Sequence, residues 1–268
     1  MPIQLIAIFL LTAITHTIDT GAHAARLAGV RTGRPTLANS LYNVLTLGSS
    51  STNALAGPLL ASLTDLAVLA QDTATLLTAF RVVLLAASAG TLIAGLLIPT
   101  LSRILARGVA SYEMRRSLPQ VVVHAASVQG LWRIRRELAA PRIGAVRESR
   151  RSPFPKRFLI ASILVTAIAT VSNAAAMYAS ALVPEGARTA SSLSPMLAGI
   201  GLFLTIFVVN PIAALVTDEA LRGARPLKDV TYITVWQIGA RLIGTLLAQA
   251  LLWPAGWAVA TVTRWLVG

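Results

Sequence analysis

Four polar residues in the first apolar run, His16, Asp19, His23 and Arg26, follow one another at spacings of 3, 4 and 3. A helix turns once in 3.6 residues, so all four share one face. Such a set has the chemistry to hold an anion, to pair a carboxylate with a guanidinium, or to carry a proton on histidine near neutral pH. A second set, Asn39, Asn43, Thr46, Ser50, Asn53 and Gly57, is spaced 4, 3, 4, 3 and 4. A third stripe holds Arg81, Ser88, Thr91, Gly95 and Pro99. A fourth holds Gln237, Arg241, Thr245 and Gln249 at a strict spacing of 4. Another apolar run contains Asn210-Pro211 and closes on Asp218 and Glu219.

The elements that carry these stripes are set by composition. The chain has 268 residues, 55% apolar and 12% charged, and the charged share is about half that of soluble domains. Runs of about 20 apolar residues suffice to cross a bilayer. Six are present, at about 3–25, 37–62, 75–102, 158–183, 195–217 and 231–263. The sequence therefore predicts an all-α polytopic membrane protein, a single six-helix membrane domain with a basic loop at 103–157 between helices three and four. Pro254 is expected to kink the last run or to end its membrane part, with Trp253, Trp257 and Trp265 as interfacial anchors.

The net charge is +13, from 23 Lys+Arg against 10 Asp+Glu. In a soluble chain this would point to nucleic acid. Here 19 of the 23 cations lie in three alternate connections: Arg26, Arg31 and Arg34; thirteen between Arg103 and Arg157; and Arg222, Arg225 and Lys228. The intervening connections, 63–74 and 184–194, hold only Arg188. The positive-inside rule then places the basic connections in the cytoplasm and both termini outside, with no nucleic acid needed to explain the charge. Ala22-His23-Ala24 resembles a signal-peptidase site, but residues 1–15 hold no Lys or Arg to form an n-region, so an uncleaved span is the expectation. Within the loop, Gln120 to Leu138 reads either as a basic amphipathic helix on the inner leaflet or as a solvated basic segment.

Small and polar side chains at helical spacing commonly glue membrane helices together. That reading covers Ser, Thr, Gly and Asn. It does not cover Asp19, Arg81 and Arg241, because a charge at bilayer centre costs about 2.5–3.5 kcal/mol even on insertion scales. An Asp19–Arg241 pair would neutralise one arginine, and Asp65 or Asp72 could reach Arg81. Several stripes converging from different helices predict a polar, net positive cavity suited to an anionic guest.

Enzymatic signatures are missing from the sequence. There is no Walker loop, no His-Glu-x-x-His pair, no Gly-x-Ser-x-Gly elbow, no paired-aspartate phosphotransferase motif and no cysteine. No metal site and no cofactor are expected, and transport fits better than catalysis. The turns Arg26…Arg34-Pro35 and Arg222…Arg225-Pro226 echo each other, which hints at an internal repeat.

The residues His16-Thr-Ile-Asp19…Ala25-Arg26-Leu-Ala-Gly29-Val30-Arg31-Thr32 and Ser40-Leu-Tyr-Asn43 resemble the opening of the Amj family of lipid II flippases, the alternate to MurJ. The resemblance continues through Phe80-Arg81, Gly90-Thr91, Pro99-Thr100, Pro155-Lys156-Arg157-Phe158, Val183-Pro184-Glu185, Thr217-Asp218 and Arg241…Gln249. It spans nearly the whole chain except about 117–150. The chain departs from the family pattern at Asn210, where an acidic residue is expected, and at Ser50, where a basic one is common.

The resemblance implies a substrate, undecaprenyl-pyrophosphate bearing the peptidoglycan muropeptide, moved from the inner to the outer leaflet of the bacterial cytoplasmic membrane for cell-wall synthesis and cell shape. On that basis Arg26, Arg31, Arg81, Arg241, Asn43, Asn53 and Gln249 are the expected substrate contacts. His16, Asp19 and Asp218 are expected to couple protons or to position arginines. Arginine suits pyrophosphate because its fork binds phosphate bidentately. The inside-negative potential favours outward movement of an anion by about 2.3 kcal/mol per charge per 100 mV. Two other readings stay open: an intramembrane enzyme acting on polyprenyl phosphates, and a cell-wall scaffold docking through the basic loop. A homodimer is a further option, because six helices are few for so large a headgroup.

Overall fold

The computed structural model describes residues 2–117, 120, 123, 127, 136–141, 143–150 and 155–268. The stretch Gln120–Leu138, read above as a candidate amphipathic helix, lies largely outside the described residues. Among the described residues, six helices or helical stacks are long and apolar enough to cross a membrane.

The first span is broken. Helix α1 (Pro2–Gly21) ends at a turn through Ala22 and His23, and α2 (Ala24–Thr32) resumes beyond it. The chain then reverses at Gly33, whose φ of 64° is left-handed and whose N–H caps α2 by bonding Gly29 and Val30 carbonyls. Helix α3 (Pro35–Leu69) starts with Pro at its first position, where a missing N–H leaves nothing unsatisfied. Helix α4 (Thr73–Arg115) is capped by Asp72, which accepts from the Thr75 amide at 2.9 Å. Hydrogen bonds from Thr75 hold the Asp72 carboxyl below its ordinary pKa.

A short helix, α5 (Ile143–Ser149), precedes α6 (Lys156–Leu182). The fifth span is composite. After a turn at Pro184–Gly186 come α7 (Ala187–Ser192), α8 (Ser194–Leu204), a π-helical turn at Thr205–Val209, and α9 (Asn210–Leu221). Helix α10 (Lys228–Val267) runs unbroken through Pro254. Trp253, Trp257 and Trp265 are exposed near its C-terminus, where Arg264 lies over the Trp257 ring at 5.6 Å.

Helices α1 to α4 pack on one another, as do α6, the fifth span and α10. The two groups join along the α4–α10 seam and through an apolar cluster that includes Ile8, Leu63, Phe80, Val171 and Leu252. Two seams depend on glycine. A Cβ at Gly90 would collide with the Ala13 backbone, and one at Gly244 would stand 2.6 Å from Thr166 Cβ and 2.7 Å from the Ile163 carbonyl. Close backbone approach through small residues is how helices bind where lipid removes the hydrophobic drive.

The arginine-rich connections gather at one end of the bundle. There Arg34 pairs with Glu113 at 2.7 Å and Arg225 with Glu219 at 2.9 Å. Helix α5 is tied to α10 at this end, Trp236 Nε1 donating to the Ser149 carbonyl at 2.9 Å and Tyr232 Oη to Glu148 at 2.6 Å.

Candidate functional site

The stripe on α3 is uncovered. Helix α3 packs on α1, α2, α4 and α6 through Leu41, Leu60 and Leu63, while Asn39, Asn43, Ser50 and Asn53 remain exposed. Four polar residues along a membrane-length helix are costly against lipid. Asn39 and Asn53 line two pockets between α3 and the fifth span, which we call the two lobes of a cleft.

The lobe towards the arginine-rich end has a volume of 360 Å³. The break in the first span aims His23 and Arg26 into it. Asn39 and Tyr42 enter from α3, and Asn210, Thr217 and Asp218 from α9. Arg26 is fixed by Gln237 of α10, Nη1 donating to Oε1 at 2.7 Å. This holds the guanidinium without neutralising it. His23 is buried, its ring 6.0 Å from Tyr42, and its Nδ1 has no partner among the described residues. The interruptions of the first and fifth spans thus deliver side chains to the same lobe. Discontinuous helices serve transporters in the same way, exposing polar groups only where they line a cavity.

The second lobe, 340 Å³, lies one to two turns back along α1. Thr12, Thr15 and His16 line it with Asn53 of α3, Thr170 and Asn173 of α6 and Ser194 of α8.

Asp19 sits on α1 between the histidines of the two lobes. Arg241 of α10 crosses to it, Nη2 lying 2.5 Å from Oδ2, and Arg241 Nε donates to Thr20 Oγ1 at 3.0 Å. The side chains are 17% (Arg241) and 36% (Asp19) exposed, so the pair is half-buried rather than sealed.

The residues singled out from sequence divide accordingly. Arg26 and Asp218 line the first lobe and His16 and Asn53 the second, Asp19 and Arg241 pair between α1 and α10 without lining either, and Asn43 stands exposed on the same face of α3. Asp218 is exposed and within 3.7 Å of Arg222. Arg31 is not brought into either lobe; Nη1 donates to Ser102 of α4 at 2.7 Å. Arg81 is exposed on the outer face of α4 that also carries exposed Leu85, Leu92 and Leu96. Gln249 donates to the Arg81 carbonyl at 2.9 Å, and Ser88 to Thr245 at 3.1 Å. The stripes of α4 and α10 therefore face each other and glue the two helix groups together. Tyr42, Thr15, Asn173 and Ser194 were not anticipated. Asn173 and Ser194 are hydrogen-bonded to each other, and only the packing of α8 on α6 reveals them.

Six membrane-length helices among the described residues, with polar pockets between α3 and the fifth span and a half-buried ion pair between the first and last spans, define a polytopic membrane protein. A family model described as Amj, alternate to MurJ, matches residues 11–263, and the chain belongs to that family. It is similar to the lipid II flippase Amj of Bacillus subtilis (strain 168), at 29% identity over 269 residues, covering 98% of this chain and 97% of the relative. No solved structure matches.

Proposed function

We propose that the chain is a lipid II flippase, carrying undecaprenyl-pyrophosphate-linked muropeptide from the inner to the outer leaflet of the bacterial cytoplasmic membrane, as a transporter and not an enzyme. The observation that carries this reading is the cleft itself. It is polar along α3, so it can receive parts of a headgroup while a polyprenyl tail stays in lipid.

The arginine-rich end is the cytoplasmic end and both termini are outside, in keeping with the positive-inside rule. The pyrophosphate enters at the first lobe and meets Arg26, which Gln237 holds in place. The next cation along the path is Arg241, held by Asp19. A pyrophosphate reaching this pair competes with the Asp19 carboxylate for the Arg241 fork, and Asp19 reclaims it when the phosphate leaves. Asp19 thus serves as a release group. Asn43 and Asn53 line the way along α3, and Asp218 faces the entrance. Arg31 anchors α2 on α4, and Gln249 secures α4 against α10. Membrane potential drives an anion outward by about 2.3 kcal/mol per charge per 100 mV.

The test is lipid II exposure at the outer surface of cells depleted of other flippases. Arg26→Ala and Arg241→Gln are expected to lose exposure at unchanged protein level. Full exposure in both variants would overturn the reading.

A further inference from the structure

We infer that the second lobe of the cleft is a carbohydrate subsite, taking the neutral hydroxyl- and amide-bearing part of the headgroup while the first lobe takes the pyrophosphate. This rests on the flippase reading and adds a division of labour to it.

The lining differs in kind from that of the first lobe. Its described residues include no Asp, Glu, Lys or Arg, whereas Arg26 and Asp218 line the other. A phosphate would call for arginine or a cluster of N–H donors. A hard cation would call for carboxylates. A ligand that suits hydroxyls and carboxamides is one that hydrogen-bonds without charge. The lobe offers the polar side chains of Thr15, Asn53, Thr170, Asn173 and Ser194, and Leu60, Val83 and Leu84 add apolar surface to the same lining. A pyranose has both characters, a rim of hydroxyls and an apolar C–H face.

Two buried atoms in this lining, Thr15 Oγ1 and His16 Nδ1, have no hydrogen-bond partner among the described residues. An unsatisfied buried polar atom is costly, so such atoms mark a place where a ligand completes the bonding. Asn173 and Ser194 bond to each other across α6 and α8, which fixes the carboxamide at the lobe. The volume of 340 Å³ is near the lower end of small-molecule sites, about 300–1,000 Å³, and suits one sugar ring rather than the whole muropeptide.

The experiment compares two ligands on the full-length protein in nanodiscs: lipid II, and undecaprenyl pyrophosphate without sugar. Thr15→Val and Asn173→Ala are each expected to weaken lipid II binding about three- to tenfold, as for the loss of an uncharged hydrogen bond. Both are expected to bind undecaprenyl pyrophosphate as the wild type does, which also reports that they are folded. Arg26→Ala is expected to weaken both ligands. If Thr15→Val and Asn173→Ala leave the ratio of the two affinities unchanged, the carbohydrate subsite is wrong and the flippase reading stands. If the wild type binds neither ligand, the flippase reading fails and the subsite with it.

Discussion

Asp19 and Arg241 meet at 2.5 Å, one residue from the first span and the other from the last. They are 222 residues apart in sequence, and the pair ties the α1–α4 group to the α10 group. The pair holds helices together and, in the proposed mechanism, also takes part in passage; the two roles are separable by substitution.

Asp19→Asn and Arg241→Gln are each expected to destabilise the protein by about 1–3 kcal/mol. This is less than the roughly 3–5 kcal/mol for breaking a fully buried pair, because 36% of the Asp19 side chain is exposed. The double variant removes the orphaned charge and is expected to melt closer to the wild type while still failing to transport. Melting in detergent and transport in liposomes, measured on the same preparations, check this. A double variant no more stable than the worse single would show that the pair is not coupled.

Helix approach at glycine gives a prediction about assembly. A methyl at Gly244 meets Thr166 and Ile163, whereas one at Gly239 meets nothing within 4 Å. Gly244→Ala is expected to cost about 1–3 kcal/mol by overpacking. Gly239→Ala is expected to be neutral or to gain up to about 1 kcal/mol from helix propensity. Thermal unfolding of the two variants side by side distinguishes them.

Orientation is accessible because the chain has no cysteine of its own. Ala70 and Met114 are exposed at opposite ends of the bundle. In intact cells a membrane-impermeant maleimide is expected to label Ala70→Cys, and to label Met114→Cys only after permeabilisation. The reverse pattern would invert the topology.

Arg81 is a test of the site's limits. Its side chain lines neither lobe, and among the described residues it has no side-chain partner, while its carbonyl accepts from Gln249. Arg81→Ala is therefore expected to keep transport within about twofold of wild type, while Gln249→Ala loosens the α4–α10 seam and lowers thermal stability. Transport lost on Arg81→Ala at normal stability would place Arg81 on the substrate path.

Hydropathy made the six spans legible, because a bilayer demands long apolar runs. Periodicity showed that each polar stripe occupies one face, but not which neighbour that face meets. The α4 stripe and the Thr245–Gln249 part of the α10 stripe meet each other and serve as glue. The α3 stripe meets the cleft. The Asp19–Arg241 pair was foreseen from charge balance, since a lone arginine at depth needs a carboxylate. The break at Ala22-His23 was not, because Gly21-Ala-His-Ala24 carries no proline and the sequence alone allows the helix to continue. Nor was the π turn at Thr205–Val209, which no residue in that run dictates locally. Both interruptions are what place Arg26 and Asn210 at one lobe. Asn173 closes a stripe with Ser162, Thr166 and Thr170 at spacings of 4, 4 and 3 that carries no charge to set it apart from helix glue, and Ser194 is the one polar residue of α8.

Reconstitution in liposomes tests the central claim most directly. Fluorescent lipid II is placed in both leaflets, and its accessibility to a quencher on one side is followed in time. The wild type is expected to make the shielded pool accessible within minutes, and Arg26→Ala and Arg241→Gln to slow this at least tenfold while remaining folded. Liposomes holding wild-type protein that exchange no faster than empty ones, or arginine variants that match the wild type, would contradict a flippase that works through this cleft.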